Sequence, residues 1–131
     1  MSIRKFASTC ILAMVVFGSA SAEPFPSREI YMVDGDTAKV AGHNYRLVGY
    51  DTPETWRPKC EYERALGQAA TARARELIEL AQVVDFVILP GKDKYGRGLA
   101  SIYIRGVDLG KVLVNEGLAR PYDRGPRAGW C

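Results

Sequence analysis

Four carboxylates and an arginine lie close together in the first half of the chain. Asp34 and Asp36 belong to one short segment, Asp51 and Glu54 to a second, and Arg46 lies between them. Oxygen ligands of this kind suit a hard cation such as calcium better than zinc or copper, and a guanidinium matches the shape of a phosphate. A remaining carboxylate can accept a proton from water. These residues predict a metal-dependent phosphodiesterase.

A third segment adds a second arginine among turn residues. Arg97 follows Gly96 within residues 93–100, which read Asp-Lys-Tyr-Gly-Arg-Gly-Leu-Ala, and a glycine lets the backbone turn tightly there. Arg46 lies in a stretch suited to a buried strand, where an unpaired guanidinium is costly. Either a carboxylate pairs with Arg46 or it faces a site. Two guanidinium groups on one phosphate would stabilise the charge that develops on its oxygens.

Each segment also has a plainer interpretation. The acids of residues 34–36 are typical of a reversing turn, residues 52–54 could cap a loop, and either arginine could form a surface ion pair. His43 is the single histidine and is expected in an exposed turn, so histidine-based triads and multi-histidine zinc sites are excluded. Any general base is therefore a carboxylate, and Glu54 is the acid not needed as a direct metal ligand.

The N-terminus has the pattern of a signal peptide. Arg4 and Lys5 precede an apolar run over residues 10–17, and Ala-Ser-Ala at residues 20–22 offers small side chains to a signal peptidase. The run is too short to cross a bilayer, which needs about 20 apolar residues. We therefore predict that residues 1–22 are a signal peptide, cleaved after Ala22, and that the protein is exported to the periplasm or secreted.

The remaining chain, residues 23–131, is expected to form one domain. Its 109 residues suit a single modest core, and no repeat or linker divides them. The net charge of the whole chain is +3, and the first 22 residues contribute Arg4, Lys5 and no acid, so the domain carries +1. A nucleic-acid ligand cannot be inferred from so small a charge and must be argued from a local site.

Two cysteines remain in the predicted domain. Cys60 and Cys131 form an even pair, and disulfides persist in exported proteins. A bridge between them would tie the C-terminus to the loop after Glu54 and contribute about 4 kcal/mol on the chain-entropy model. The alternative is a pair of free thiols.

Local patterns predict an α+β fold with short strands, one long helix and one short helix. The apolar spacing from Glu61 to about Leu80 is helical, and Pro53 and Pro58 mark a loop before it. The predicted strands are residues 28–33, 37–40, 45–50, 83–89, 99–104 and 118–120, with a break at 90–91 and a short helix at 108–115. A five-stranded OB-type barrel is the simplest arrangement of these elements.

Together the motifs resemble the staphylococcal nuclease (thermonuclease) family. Asp-Gly-Asp-Thr at 34–37, Arg-Leu-x-x-x-Asp-Thr-Pro-Glu at 46–54, the motif at 93–100 and Gly-Leu-Ala at 117–119 occur in family order. The resemblance covers about residues 30–120. It implies an OB-fold barrel that cleaves DNA and RNA phosphodiesters with calcium and leaves 3′-phosphates.

The resemblance also implies a role for each matching residue. Asp36 and Asp51 would bind calcium directly with the backbone carbonyl of Thr52, and Asp34 would act through water. Arg46 and Arg97 would hold the scissile phosphate.

The remaining family positions concern water and substrate. Glu54 would orient or deprotonate the attacking water, and Lys94 and Tyr95 would contact a neighbouring phosphate. Tyr122 lies near the place where family tyrosines stack on a base, with its register left open.

The sequence departs from the family in three places. The hairpin over residues 40–45 is short, Ala38 replaces a larger aliphatic residue, and the chain diverges beyond Ala119. The terminal helix of longer members is expected to be missing, and a bridge from Cys60 to Cys131 would hold the end in its place.

Two rival functions follow from the same residues. One is an OB-type module that binds single-stranded nucleic acid without cutting it, and the other is a calcium-stabilised exported domain with a protein partner. Intact Arg46, Glu54 and Arg97 favour the nuclease. After signal cleavage we expect no membrane association, and a monomer is the default. The sequence leaves open DNA against RNA and endonuclease against exonuclease.

Overall fold

The computed structural model describes residues 23–131, so the predicted signal peptide lies outside the described residues. Within them the chain forms two α-helices, α1 (Glu61–Ala81) and α2 (Leu109–Asn115), and a 3₁₀ turn (Ser27–Glu29). The strands, in chain order, are β1 (Glu23–Pro26), β2 (Ile30–Asp34), β3 (Thr37–Val40), β4 (His43–Leu47), β5 (Tyr50–Asp51), β6 (Val83–Lys92), β7 (Gly98–Ile104), β8 (Val107–Asp108) and β9 (Arg120–Pro121).

The main sheet is curled and mixed. Its strands follow the order β1-β6-β7-β4-β3-β2, with β8 beside β7, and β5 and β9 form a separate antiparallel pair. β4 and β7 run parallel, with Arg46 opposite Leu99 in the ladder, whereas the other neighbours are antiparallel. This curled sheet with two helices is an α+β fold of the OB type, as the sequence predicts.

Two predicted strands are wrong at their ends. The strand predicted over residues 45–50 is interrupted at Val48 and Gly49, where Gly49 has a φ of +91° and the chain leaves the main sheet to pair with β9. The strand predicted from residue 28 begins only at Ile30, because the 3₁₀ turn occupies the preceding residues.

The C-terminal half also differs from the prediction. β6 continues through Pro90 and Gly91 as a bulge, since its register with β7 shifts between Leu89 and Lys92. The last strand is Arg120–Pro121 rather than residues 118–120. β1 was not predicted, and its prolines are tolerated because β1 is an edge strand paired only with β6.

Helix α1 packs across β2 and against the candidate site. Arg75 donates from Nε and Nη2 to the carbonyl oxygen of Met32, at 2.9 and 2.8 Å. A Cβ on Gly67 would lie 2.8 Å from the carbonyl oxygen of Pro53, so only glycine allows this approach. The helix thereby supports the segment that follows β5.

The core lies between the curled sheet and the helices. Its largest fully enclosed apolar side chains are Met32, Leu47, Ile102, Leu109, Leu113 and Val84. Ala38 is completely buried among them. None of the helices in residues 23–131 has the length and apolar character needed to span a bilayer.

A disulfide joins Cys60 to Cys131, the pairing that the sequence predicts. Cys60 also caps helix α1, since its sulfur accepts the backbone N–H of Glu63 at 3.5 Å. The bridge draws residues 122–131, which we call the C-terminal tail, back to the start of α1.

Candidate active site

The turn between β2 and β3 carries the first two candidate acids. Oδ1 of Asp34 accepts the backbone N–H of Asp36 at 3.1 Å, which closes the turn. A Cβ on Gly35 would lie 2.6 Å from Cγ2 of Thr52. The turn reaches the segment after β5 because residue 35 has no side chain.

Asp36 and Asp51 are the buried acids of the site, 6% and 3% exposed. Oδ2 of Asp36 accepts the backbone N–H of Thr52 at 3.0 Å, and Oδ1 of Asp36 accepts the hydroxyl of Thr37 at 3.4 Å. Asp36 precedes β3 and Asp51 ends β5, so the fold rather than the local sequence brings them together.

Arg46 lies between these two acids. Its Nη1 is 3.2 Å from Oδ2 of Asp36, and its Nη2 is 3.4 Å from Oδ1 of Asp51. The guanidinium also donates to the carbonyl oxygens of Leu47 and Tyr50, at 2.8 and 3.0 Å. A buried guanidinium with this many partners is held in one position. We call Asp36, Asp51 and Arg46 the floor of the site.

The floor carries more negative charge than Arg46 balances. Burial raises the pKa of Asp36 to about 6; the charge of Asp34 adds to this rise and Arg46 opposes it. Burial also raises the pKa of Asp51, against the hydrogen bond that Asp51 accepts from Arg127. Additional positive charge beside these carboxylates would therefore stabilise their ionised forms.

The oxygen atoms near the floor fit a hard divalent cation. Besides the two carboxylates, Oγ1 of Thr52 is buried without a hydrogen-bond partner among residues 23–131. Calcium accepts carboxylate, backbone carbonyl and water oxygens in a flexible shell. The only compact trio of cysteine, histidine or acidic ligand atoms in the described residues is Cys60, Glu63 and Cys131, whose sulfurs are bonded to each other.

Arg97 is held by the turn that precedes it. Its Nε is 2.5 Å from Oδ2 of Asp93, and its backbone N–H donates to Oδ1 of Asp93 at 2.8 Å. Burial alone would raise the pKa of Asp93, but these hydrogen bonds and the charge of Arg97 lower it. Nη1 of Arg97 donates to the hydroxyl of Thr37 at 3.0 Å, and that hydroxyl in turn contacts Asp36. Thr37 therefore links the second arginine to the floor.

Both arginines line one open cavity of about 840 Å³. Asp93 is its one acidic lining residue, against six cations, namely Arg46, Lys92, Lys94, Arg97, Arg124 and Arg127. We call the five cations other than Arg46 the rim of the site. A concave surface with this balance of charge attracts polyanions.

The residues predicted to contact substrate also line this cavity. Tyr95 is 67% exposed, with Nζ of Lys94 5.1 Å from the centre of its ring and the guanidinium carbon of Arg97 at 5.4 Å. Tyr122 is the second lining tyrosine, 5.9 Å from the guanidinium carbon of Arg46. Asp36, Asp51, Thr52 and Glu54 do not line the cavity themselves.

Sequence reasoning missed Arg127. Nη1 of Arg127 donates to Oδ1 of Asp51 at 3.0 Å and to Oε1 of Glu54 at 3.1 Å. Burial would lower the pKa of Arg127, but its hydrogen bond to Asp51 and the nearby acids raise it. The cysteine pairing could have revealed this contact, because a bridge at Cys131 brings the C-terminal tail to the loop that carries Glu54.

Arg46 connects the two groups of predicted residues, because it pairs with Asp36 and Asp51 and also lines the cavity. His43 is exposed, as predicted, but it lies at the start of β4 rather than in a turn, and it does not line the cavity. Asp34 contacts the floor through the backbone of Asp36, and Glu54 does so through Arg127, which it shares with Asp51.

The protein is a small α+β domain with a curled OB-type sheet. Its buried aspartates lie beside a basic, arginine-lined cavity whose size and charge suit a polyanion. The chain belongs to the staphylococcal nuclease family: residues 44–128 match the model described as staphylococcal nuclease homologue.

Individual relatives agree with this membership. The chain is 40% identical over 93 residues to the SPbeta prophage-derived endonuclease YokF of Bacillus subtilis (strain 168), and 37% identical over 93 residues to endonuclease YncB of the same organism. Each alignment covers 67% of this chain, but only 31% of YokF and 44% of YncB. A thermonuclease of Staphylococcus hyicus is 31% identical over 107 residues, which cover 79% of this chain and 63% of the thermonuclease. The chain therefore spans less than two thirds of these relatives.

Proposed function

We propose that this protein is a calcium-dependent nuclease that hydrolyses phosphodiester bonds of DNA or RNA and leaves 3′-phosphates. The observation that carries the proposal is the joint position of Arg46 and Arg97. Both line one cavity, while Arg46 pairs directly with Asp36 and Asp51. The names of three relatives, two endonucleases and a thermonuclease, support the same reaction.

The metal would bind at the floor. Asp36 and Asp51 would hold calcium together with the carbonyl oxygen of Thr52, and Asp34 would act through water. When bound, calcium would polarise the phosphoryl group and make a bound water a better nucleophile. The raised pKa values of Asp36 and Asp51 support this assignment, because a cation favours both ionised carboxylates.

Arg46 and Arg97 would bind the scissile phosphate. The many partners of Arg46 fix its orientation, so little rearrangement is needed when charge develops on the phosphoryl oxygens. Arg97 uses Nε and Nη1 to contact Asp93 and Thr37, and no hydrogen bond within residues 23–131 occupies its Nη2. Nη2 and the second proton of Nη1 can therefore donate to a phosphate.

Glu54 would orient the attacking water and accept its proton. The water oxygen forms the new bond to phosphorus, the bond from phosphorus to the 5′ oxygen breaks, and a proton passes to that oxygen. The side chain of Glu54 is 43% exposed, which leaves it accessible to water. Lys94 and Tyr95 would contact a neighbouring phosphate, and Tyr122 would stack on a base.

We further propose that the protein acts outside the cytoplasm as a monomer. The disulfide between Cys60 and Cys131 supports export, because such bonds persist in oxidising compartments.

Digestion of end-labelled oligonucleotides during a calcium titration tests the reaction. Purified protein should degrade the substrate with calcium, stop when a chelator is added, and leave 3′-phosphate ends. Glu54→Gln and Arg97→Ala should each lower the rate by about 100-fold or more, because each removes a group needed in the transition state. Arg105→Ala is the matched control: it removes an exposed arginine in the turn after β7, at the opposite end of that strand from Arg97.

Three results would contradict parts of the proposal. Activity that survives chelation would exclude the metal, and a gel shift without any substrate loss in calcium would favour the binding module instead. Mild losses from both variants would show that the site is misplaced.

A further inference from the structure

The C-terminal tail is anchored at both ends. At its start, the backbone N–H of Tyr122 donates to the carbonyl oxygen of Gly49 at 3.0 Å. At its end, Cys131 is bonded to Cys60, and Arg120 donates to the carbonyl oxygen of Gly129 at 3.0 Å. The residues between these anchors have no regular secondary structure. Their path therefore depends on the anchors rather than on a helix or sheet.

The anchored segment delivers Arg127 to two acids. Its Nη1 bridges Oδ1 of Asp51 and Oε1 of Glu54, 76 and 73 residues away in the sequence. Asp51 has a second cation, since Nη2 of Arg46 is 3.4 Å from the same oxygen. Glu54 is different: Arg127 is the one side chain in residues 23–131 that forms a hydrogen bond or ion pair with its carboxylate.

Glu54 therefore depends on Arg127 for its orientation. Its side chain is half-exposed in the loop between β5 and α1, where a carboxylate without a partner samples several rotamers. The contact with Arg127 selects one of them, and Arg127 can make it only while the tail follows its observed path.

We infer that Arg127 is a positioning residue that orients Glu54, and that the Cys60–Cys131 disulfide holds it in place. This inference rests on the proposed nuclease function. The rate of phosphodiester cleavage then depends on whether the Cys60–Cys131 disulfide, which lies outside the cavity, is oxidised or reduced. The oxidised protein is the active form, and reduction of the disulfide lowers kcat by releasing Arg127 from Glu54.

Kinetics of Arg127 variants test the positioning role. Arg127→Ala should lower kcat by about 10- to 100-fold, the usual effect of a misplaced reacting group, and leave KM within about twofold. Arg127→Lys should recover most of the rate, because a lysine Nζ with three donors can bridge the same two oxygens. Arg105→Ala should match the wild type.

Two kinetic results would overturn this role. A rise in KM with unchanged kcat would mean that Arg127 binds substrate phosphate rather than Glu54. A rise in activity in Arg127→Ala, or a lower calcium requirement, would mean that the guanidinium competes with the cation at Asp51.

Reduction in two backgrounds tests the role of the disulfide. The kcat of the reduced wild type and of Cys60→Ser/Cys131→Ser should fall by about the same factor as that of Arg127→Ala. The reason is that all three proteins lose the contact between Arg127 and Glu54. Arg127→Ala should lose nothing more on reduction. Near-ultraviolet circular dichroism at the assay temperature checks that each protein is folded. A further loss in the reduced Arg127→Ala variant would show that the bond acts through general stability.

An activity-independent measurement separates this inference from the proposed reaction. In side-chain ¹⁵N–¹H spectra, the Nη signals of Arg127 are assigned by their absence in Arg127→Lys. They should be resolved in the oxidised protein and merge into one averaged signal when the disulfide is reduced. If the protein cleaves nucleic acid but these signals do not change when the disulfide is reduced, the inference about Arg127 is wrong and the proposed reaction stands. If the signals collapse but no cleavage occurs, the proposed reaction fails and the contact between tail and Glu54 stands.

Discussion

The arginines in the floor and in the rim of the site lie in opposite surroundings. Arg46, in the floor, has a side chain 11% exposed and contacts two carboxylates and two backbone carbonyls. Arg97 and Arg127, in the rim, are 27% and 41% exposed and themselves lie outside the helices and strands. The floor is thus built by strand ends that the core supports, and the rim by segments that solvent surrounds.

This difference assigns different tasks to the two regions. Charges in the floor interact strongly because little water screens them, and their geometry is fixed before substrate arrives. Charges in the rim are screened by salt and by their own mobility. We expect the floor to determine both the rate of the chemical step and the protein's electrostatic stability. In the rim, Arg97 and Arg127 should affect the rate with little effect on stability, and Lys94 should affect mainly affinity.

The largest expected effect is at Arg46. Arg46→Ala should abolish cleavage and also lower the free energy of unfolding by about 3 kcal/mol, because it leaves the buried Asp36 without its cation and Asp51 with Arg127 alone. Arg97→Ala should reduce cleavage with a stability loss below about 1 kcal/mol, as for an exposed pair. Urea unfolding in a chelator measures both, with Arg46→Lys as the charge-conserving control. Equal stability losses would remove the distinction between floor and rim.

A somewhat smaller effect concerns Asp36 and pH. Its pKa is raised from 3.8 to about 6 in the folded protein, so the folded state binds this proton more tightly than the unfolded state. In a chelator, wild type should therefore lose stability relative to Asp36→Asn as pH rises from about 4 to about 6, by about 2 to 3 kcal/mol, with no further change above that range. The difference between the two unfolding curves cancels other titrating groups. If the stability difference between wild type and Asp36→Asn does not change with pH, the pKa of Asp36 is not raised in the folded protein.

The smallest expected effect is a change in KM at Lys94, in the rim. Lys94→Ala should raise KM about threefold at low salt and leave kcat and stability unchanged, because it removes one screened phosphate contact. The dependence of log KM on log salt should become shallower by about one unit of slope. Arg105→Ala, which removes the same charge outside the cavity, should leave KM unchanged. A large fall in kcat for Lys94→Ala would mean that Lys94, like Arg97, acts in the chemical step.

The sequence was informative wherever a local pattern decides the structure. Helix α1 follows from its apolar spacing, and the turn at Asp34 follows from Asp-Gly chemistry. The family motifs contain Arg46 and Arg97, which line the cavity, and the acids that pair with Arg46. Their proximity itself comes from strand pairing.

What the sequence could not reveal depends on distant contacts. The break at Gly49 arises because β5 pairs with β9, which lies some 70 residues later. Arg127 has no motif around it, and its importance appears only when the disulfide has folded the tail back. β1 escaped prediction because two prolines in four residues argue against a strand unless it lies at a sheet edge.

The parallel ladder between β4 and β7 has a consequence for how this domain can change. Arg46 lies opposite Leu99, two residues from Arg97, so the spacing of the two guanidinium groups is set by one strand register. Helix α1, which lies between them in the sequence, does not enter that ladder. A change in the length of α1 that leaves Asp51, Glu54 and Asp93 in place would therefore keep the separation of the two arginines unchanged.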